Sequence, residues 1–167
     1  MSDREDLATT VLDHFRSRGL LLATAESCTG GMIAAAVTAI AGSSDVFDRG
    51  FVTYSNEAKQ QMIGVKAETL ARHGAVSKET AIEMASGAIR ASRADVAVAV
   101  TGVAGPGGGS SEKPVGLVHL AIAMRGGAIH HHEFRFGDIG RDQVRAATVR
   151  SALSLLANFV QPGSAAE

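Results

Sequence analysis

The sequence predicts an α/β fold: a three-layer α/β/α sandwich around a mixed, mostly parallel sheet with a late antiparallel hairpin. Two observations carry this. Early in the chain, apolar runs of strand length alternate with helical segments, the pattern of a sheet covered by helices on both faces. Later, two strand-like segments, residues 115–124 and 128–136, are joined only through Arg125-Gly126-Gly127, which reads as a hairpin.

The elements follow in order. Leu7, Val11 and Phe15 recur every four residues, one face of a helix that ends near Gly19. Residues 20–25 are a continuous apolar run, a buried strand. Glu26-Ser27-Cys28-Thr29-Gly30-Gly31 then opens a helix over residues 32–40, and Ala41-Gly42-Ser43-Ser44 breaks it. Residues 50–54 read as a strand. Ser55 caps a short helix that stops at Gly64, and a second short helix covers residues 67–72. Ser77 caps a longer helix with Ile82, Ala85 and Ile89 turned inward. Residues 95–101 (DVAVAVT) form a strand, and a glycine-rich loop over 102–111 leaves it. After the hairpin, Asp138 starts a final helix to about Val160, which Pro162 ends. No repeat or linker interrupts this order. It predicts one domain over residues 1–162 and a frayed tail at 163–167.

Composition narrows the function. A 46% hydrophobic and 20% charged chain can build a core, which excludes disorder. Sixteen basic residues against seventeen acidic ones leave no basic excess for nucleic acid or an anionic membrane surface. Aromatics at 4%, with no Trp, make base stacking a poor basis for binding. A single small anionic ligand is compatible with this balance. The one cysteine, Cys28, excludes an internal disulfide and a Cys-cluster zinc site and fits a reducing, cytoplasmic setting. No apolar run reaches the roughly 18 residues of a membrane span, and the polar first residues do not resemble a signal peptide. The expected partner is a small molecule, with no nucleic acid, no membrane and no cofactor. Small α/β enzymes are often symmetric oligomers, so a homodimer is expected.

Four constellations have the residue types for chemistry. Ser27-Cys28-Thr29-Gly30-Gly31 sits between a strand and a helix, where free amides and the helix dipole favour an anion and glycines admit a ligand to the backbone; the plain alternative is an ordinary helix start. The run from Gly102 to Gly109 leaves the carboxyl end of a strand, where α/β sheets collect ligands, with Thr101 at its head. It lacks the Gly-Lys-Ser/Thr of a Walker loop, and a surface loop is its plain alternative. Third, Gly42-Ser43-Ser44, Tyr54 and Lys59 offer a serine with a lysine base, provided the lysine is buried enough to be neutral. Tyr54 could relay or orient the proton, and a loop serine with a solvated lysine is the alternative. Four residues separate Tyr54 from Lys59, which excludes the Tyr-x-x-x-Lys of short-chain dehydrogenases. Fourth, Arg141 is a cation in the first turn of a helix, against the dipole, which suggests a shared anion; an exposed ion pair is the alternative. His130-His131-His132 would alternate faces on a strand and reads as an exposed strand rather than a metal site. Cys28 reads as packing rather than as a nucleophile.

Six ordered blocks then resemble one family. They are Thr24-Ala25-Glu26-Ser27-Cys28-Thr29-Gly30-Gly31, Ala41-Gly42-Ser43-Ser44, residues 50–59 (GFVTYSNEAK), Gly74-Ala75-Val76-Ser77, residues 101–109 (TGVAGPGGG) and Lys113-Pro114-Val115-Gly116. Together, over residues 5–160, they resemble the CinA C-terminal domain family in its stand-alone form. The resemblance implies a nicotinamide mononucleotide (NMN) deamidase, which hydrolyses the carboxamide to nicotinic acid mononucleotide and ammonia in pyridine nucleotide salvage. It implies Ser44 as nucleophile, Lys59 as general base, and Tyr54 and Ser27 beside them. It also implies Thr101 as a substrate contact. The physical reading adds the backbone around Gly42 and of the Ser27 turn, with Thr29 and Gly30, as oxyanion donors and the loop from Gly102 as a phosphate ligand. Arg141 is the expected phosphate ligand, with Arg145 as the fallback. By local chemistry alone either Ser27 or Ser44 could be the nucleophile. Two other readings stay open: a noncatalytic nucleotide-binding module linked to competence or DNA damage, and an amidase or esterase for another small amide.

Overall fold

At the head of helix α1 (Asp3–Arg18), Ser2 and Glu5 exchange hydrogen bonds in a capping box, and Gly19 ends the helix in the left-handed conformation. The computed structural model describes residues 2–160, so Pro162 and the expected tail at 163–167 lie outside the described residues. Next come β1 (Leu22–Glu26), α2 (Met32–Thr38), a single 3-10 turn (Ser43–Asp45) and β2 (Phe47–Val52). Three helices follow, α3 (Asn56–Ile63), α4 (Ala67–His73) and α5 (Lys78–Arg90). Then come β3 (Val96–Gly102), the hairpin β4 (Leu117–Met124) and β5 (Ile129–Arg135), and α6 (Arg141–Phe159). Ser55 and Ser77 cap α3 and α5 through their hydroxyls, as the sequence predicts.

The five strands lie in the order β2-β1-β3-β4-β5. β1 pairs with β2 and with β3 in parallel, and β4 is antiparallel to both its neighbours, so only β4 runs against the rest. Helices α1, α2 and α6 cover one face and α3, α4 and α5 the other, which is the predicted three-layer sandwich. The faces differ in side-chain size. Val96, Val98, Val100, Leu120 and Ile122 pack under α1 and α6, whereas Ala97, Ala99, Ala121 and Ala123 lie under α5. Small side chains let α5 approach the sheet closely. Gly87 serves the same end toward α3, because a Cβ there would lie 1.8 Å from the Ile63 carbonyl oxygen.

The elements β2 and α6 differ most from expectation. β2 starts at Phe47 rather than residue 50 and ends two residues earlier, because Asp48 and Arg49 interrupt the apolar pattern of an edge strand. The Asp48 carboxylate accepts hydrogen bonds from Arg49 and Arg93, which holds those polar residues at the edge. Helix α6 starts at Arg141 rather than Asp138, since Gly137 and Gly140 both have positive φ and turn the chain before the helix begins.

The carboxyl ends of β1, β2 and β3 lie side by side. From β1 the chain turns to α2 on one face, and from β2 it turns to α3 on the other. This reversal at the strand ends is where open α/β sheets hold ligands.

Candidate active site

A cleft of about 290 Å³ opens at this point, walled by Ser27, Tyr54, Lys59, Val76, Thr101 and Arg141 and by the glycine loop that follows β3. Each strand end contributes. Ser27 immediately follows β1, and its amide donates to the Val100 carbonyl of β3 at 3.1 Å. Its turn is closed by Gly30 N–H to the Ser27 carbonyl at 3.1 Å, with Gly30 and Gly31 both at positive φ. Beneath the turn the buried Glu26 carboxylate accepts from the Thr29 hydroxyl at 2.6 Å and from the amides of Ile33 (2.8 Å) and Ala34 (3.1 Å). A buried carboxylate thus satisfies amides that the start of α2 leaves open.

Lys59 comes from α3 and is buried to 1% exposure. Its Nζ lies 3.0 Å from Ser27 Oγ, 2.9 Å from the Thr53 carbonyl and 3.2 Å from the Tyr54 carbonyl. Burial pushes its pKa below the ordinary lysine value, because the interior penalises the ammonium; the nearby Cys28 opposes this more weakly. The neutral amine has two N–H groups and one lone pair. The two carbonyls can only accept, so they take both N–H groups. As an ammonium Lys59 donates to all three oxygens, Ser27 Oγ included; once it is neutral, with both N–H groups on the carbonyls, its lone pair faces Ser27 and the hydroxyl can donate to it. This is the hydrogen-bond pattern of a nucleophile with its general base. Burial also pushes the Cys28 thiol up to about 12, so the neighbouring sulfur stays protonated and is no rival nucleophile.

The far wall carries a cation. Arg141, at the first position of α6, donates from Nη1 to the Gly105 carbonyl at 2.8 Å and from Nη2 to the Tyr54 hydroxyl at 3.0 Å. Tyr54 thus serves the site twice, by its carbonyl on Lys59 and by its ring at the mouth. The hydroxyl is held on Arg141 rather than on the serine. Thr101 lines the floor with its hydroxyl donated to the Ala75 carbonyl at 2.8 Å. Gly102 lines it as bare backbone, and a Cβ there would strike the Leu117 carbonyl at 2.8 Å.

Several expected positions fall elsewhere. Ser44 and Gly42 are exposed, at the amino end of β2, where Leu22 N–H donates to the Val46 carbonyl. Lys59 sits beyond the carboxyl end of that strand. Six strand residues at about 3.3 Å each put the two ends roughly 20 Å apart, too far for Ser44 to pass its proton to Lys59. The expected Ser44–Lys59 pairing is therefore replaced in the structure by Ser27–Lys59. Gly42 instead accepts Arg16 Nη2 on its carbonyl at 3.0 Å. Thr29 and Gly30 lie in the Ser27 turn but do not line the cleft: the Thr29 hydroxyl is spent on Glu26, and Gly30 faces Arg145. His131 stacks on the buried His119, with Nδ1 of His119 and Nε2 of His131 at 2.8 Å, and neither lines the cleft.

The sequence reading assigned no role to Glu26, to the Thr53 carbonyl or to the Ala75-Val76 wall. Glu26 had a readable signal: a carboxylate between a buried strand and the glycines that open a helix. The carbonyl contacts and the wall depend on tertiary packing and have none.

Comparison with known proteins gives the family. The family described as the CinA C-terminal domain matches residues 4–160. The nicotinamide-nucleotide amidohydrolase PncC of Escherichia coli K12 is 55% identical over 159 residues, 93% of this chain and 95% of that protein. A CinA-like protein of Synechococcus sp. RCC307 is 53% identical over 156 residues, which are 37% of its own length. The crystal structure of the competence/damage inducible protein CihA from Agrobacterium tumefaciens is 60% identical with a TM-score of 0.94, covering 96% of this chain and 98% of that one. A CinA superfamily protein from Klebsiella pneumoniae 700603 is 41% identical with a TM-score of 0.89, covering 94% and 97%.

Proposed function

The chain belongs to the CinA C-terminal domain family, and on that premise we propose that it hydrolyses the carboxamide of NMN, with Ser27 as nucleophile and Lys59 as general base. The observation that carries the mechanism is the buried Lys59 amine 3.0 Å from Ser27 Oγ. The substrate is read from the likeness to the E. coli amidohydrolase.

The reaction runs in two halves. Ser27 Oγ attacks the amide carbon while its proton passes to Lys59 Nζ, forming a tetrahedral oxyanion. The C–N bond then breaks, and the leaving nitrogen takes the proton from Lys59 and departs as ammonia. The acyl group remains as an ester on Ser27. Water attacks that ester, again giving a proton to Lys59; the C–Oγ bond breaks and Ser27 recovers the proton. The acid product is nicotinic acid mononucleotide. The amides of Ser27 and Gly30 are held by carbonyls, so the oxyanion donor from this turn is the backbone amide of Cys28, which lines the cleft next to the nucleophile. Arg141 and the amides of the loop after β3 take the phosphate. Thr101 and Gly102 bound the pocket beside the ring.

The same reading places the enzyme in pyridine nucleotide salvage, as a cytoplasmic homodimer. The free, buried Cys28 supports a reducing compartment, and sedimentation of the purified protein tests the dimer. The catalytic reading is tested by incubating the protein with NMN, nicotinamide riboside and nicotinamide and measuring ammonia and the acid product. NMN is expected to be converted, and loss of the phosphate is expected to raise KM. Binding of NMN with no ammonia released would instead support the noncatalytic binding module.

A further inference from the structure

We propose that Arg145 is a positioning residue for Ser27 rather than a second phosphate ligand, an inference that rests on the amidase reading above. Arg145 lies on α6 one turn beyond Arg141, half-buried, and does not line the cleft. Its guanidinium reaches the back of the Ser27 turn. Nε donates to the Cys28 carbonyl at 3.0 Å and Nη2 to the Thr29 carbonyl at 3.3 Å. Among the described residues no other group bonds to the Cys28 carbonyl, whereas the Thr29 carbonyl also accepts from Met32 N–H. Gly30 follows in the left-handed conformation, φ 57°, which glycine adopts without strain, and the guanidinium lies against it.

The turn is thus held from both sides by opposite charges. Glu26 takes donors on its inner side, and Arg145 takes its outward carbonyls. The peptide that carries the Cys28 carbonyl is one residue from Ser27. If it rotates, the serine side chain swings away from the Lys59 lone pair. Two adjacent carbonyls suit a planar fork with several donors, and an ammonium reproduces this only in part.

The test compares Arg145→Met, Arg145→Lys and Arg141→Met with the wild type in two assays. One is steady-state hydrolysis of NMN. The other is the rate at which a small fluorophosphonate labels Ser27, which needs no NMN. In that labelling Ser27 Oγ forms the P–O bond, the P–F bond breaks, fluoride leaves and the proton passes to Lys59. Misplacing a nucleophile by about 1 Å costs on the order of 100-fold. Arg145→Met is therefore expected to lower both kcat and the labelling rate by about 10- to 100-fold, with KM for NMN within about twofold of wild type. Arg145→Lys is expected to recover part of both rates. Arg141→Met is expected to raise KM for NMN, the opposite split from the Arg145 variants. If Arg145→Met does not fold, Arg145→Lys carries the test through the same split.

A raised KM at unchanged kcat in the Arg145 variants would make Arg145 a phosphate ligand and overturn the proposal. So would labelling at the wild-type rate. A wild type that labels but leaves NMN intact would sink the substrate assignment alone, and the labelling rates would then decide on Arg145. A wild type that neither labels nor hydrolyses NMN would overturn both readings.

Discussion

Lys59 shows how one buried side chain becomes a base. Its surroundings offer three oxygen atoms and almost no water, so the amine is neutral at a lower pH than a surface lysine. Only the neutral form accepts the Ser27 proton. Activity is therefore expected above the lowered Lys59 pKa and lost as pH falls through it. A pH profile of kcat/KM is expected to show an ascending limb with its midpoint below 10.5. A profile flat from mildly acidic to alkaline pH, with chemistry limiting, would contradict it. Lys59→Ala removes the base, and a loss of about 100- to 10,000-fold in kcat is expected. The distinction between Ser27 and Ser44 also belongs to this scale. Both serines stand in small-residue breaks beside helices, and nothing local separates them. What separates them is β2, which carries the chain across the whole sheet between the Gly-Ser-Ser break and Tyr54.

At the scale of elements, caps and glycines decided what could be read. Ser55, Ser77, Gly19 and Gly64 announce helix ends by their own chemistry, and the helices they bound came out as expected. The edge strand β2 extends further toward its amino end than its apolar residues suggest, because the charged Asp48 and Arg49 break the apolar pattern while Asp48 is covered by Arg49 and Arg93. The start of α6 was misplaced because Asp138 resembles a cap while Gly140 fills that place. The close packing of α5 on α3 was not legible, since a helical glycine reads as a weakness until its neighbour is known. Gly87→Ala tests that contact. In an open helix this change stabilises by roughly 0.5–1 kcal/mol. Here the added methyl meets the Ile63 carbonyl, and destabilisation by about 1–3 kcal/mol is expected, read as a lowered midpoint in urea. Glu26→Ala is expected to cost a similar amount, because it strips the acceptor from two amides and the Thr29 hydroxyl.

The whole molecule places its chemistry by topology. Three parallel strand ends bring Ser27, the carbonyls of Thr53 and Tyr54, and Thr101 to one edge, and α3 and α6 lean Lys59 and Arg141 over them. The layered fold was legible from alternation, the hairpin from its glycines and the ligand edge from the general rule for such sheets. The identity of the partners across that edge was not, because residues far apart in sequence meet there only once the strand order is known. A ligand that bridges these elements should stabilise the fold as a unit. Ligand at about 100 times its Kd adds roughly 2.7 kcal/mol, which is about 5–10 °C in Tm for a domain of this size. NMN is expected to produce such a shift in the inactive Ser27→Ala protein and a much smaller one when Arg141→Met is added. Equal shifts in both would remove Arg141 from the phosphate site.

The central claim is that Ser27, and not Ser44, is activated by Lys59. The most direct measurement is ammonia released from NMN by Ser27→Ala and Ser44→Ala proteins of verified fold, beside the wild type. The account predicts that Ser27→Ala is inactive and that Ser44→Ala works within about twofold of wild type, the margin expected of an exposed residue remote from the chemistry. An inactive Ser44→Ala beside an active Ser27→Ala would contradict it.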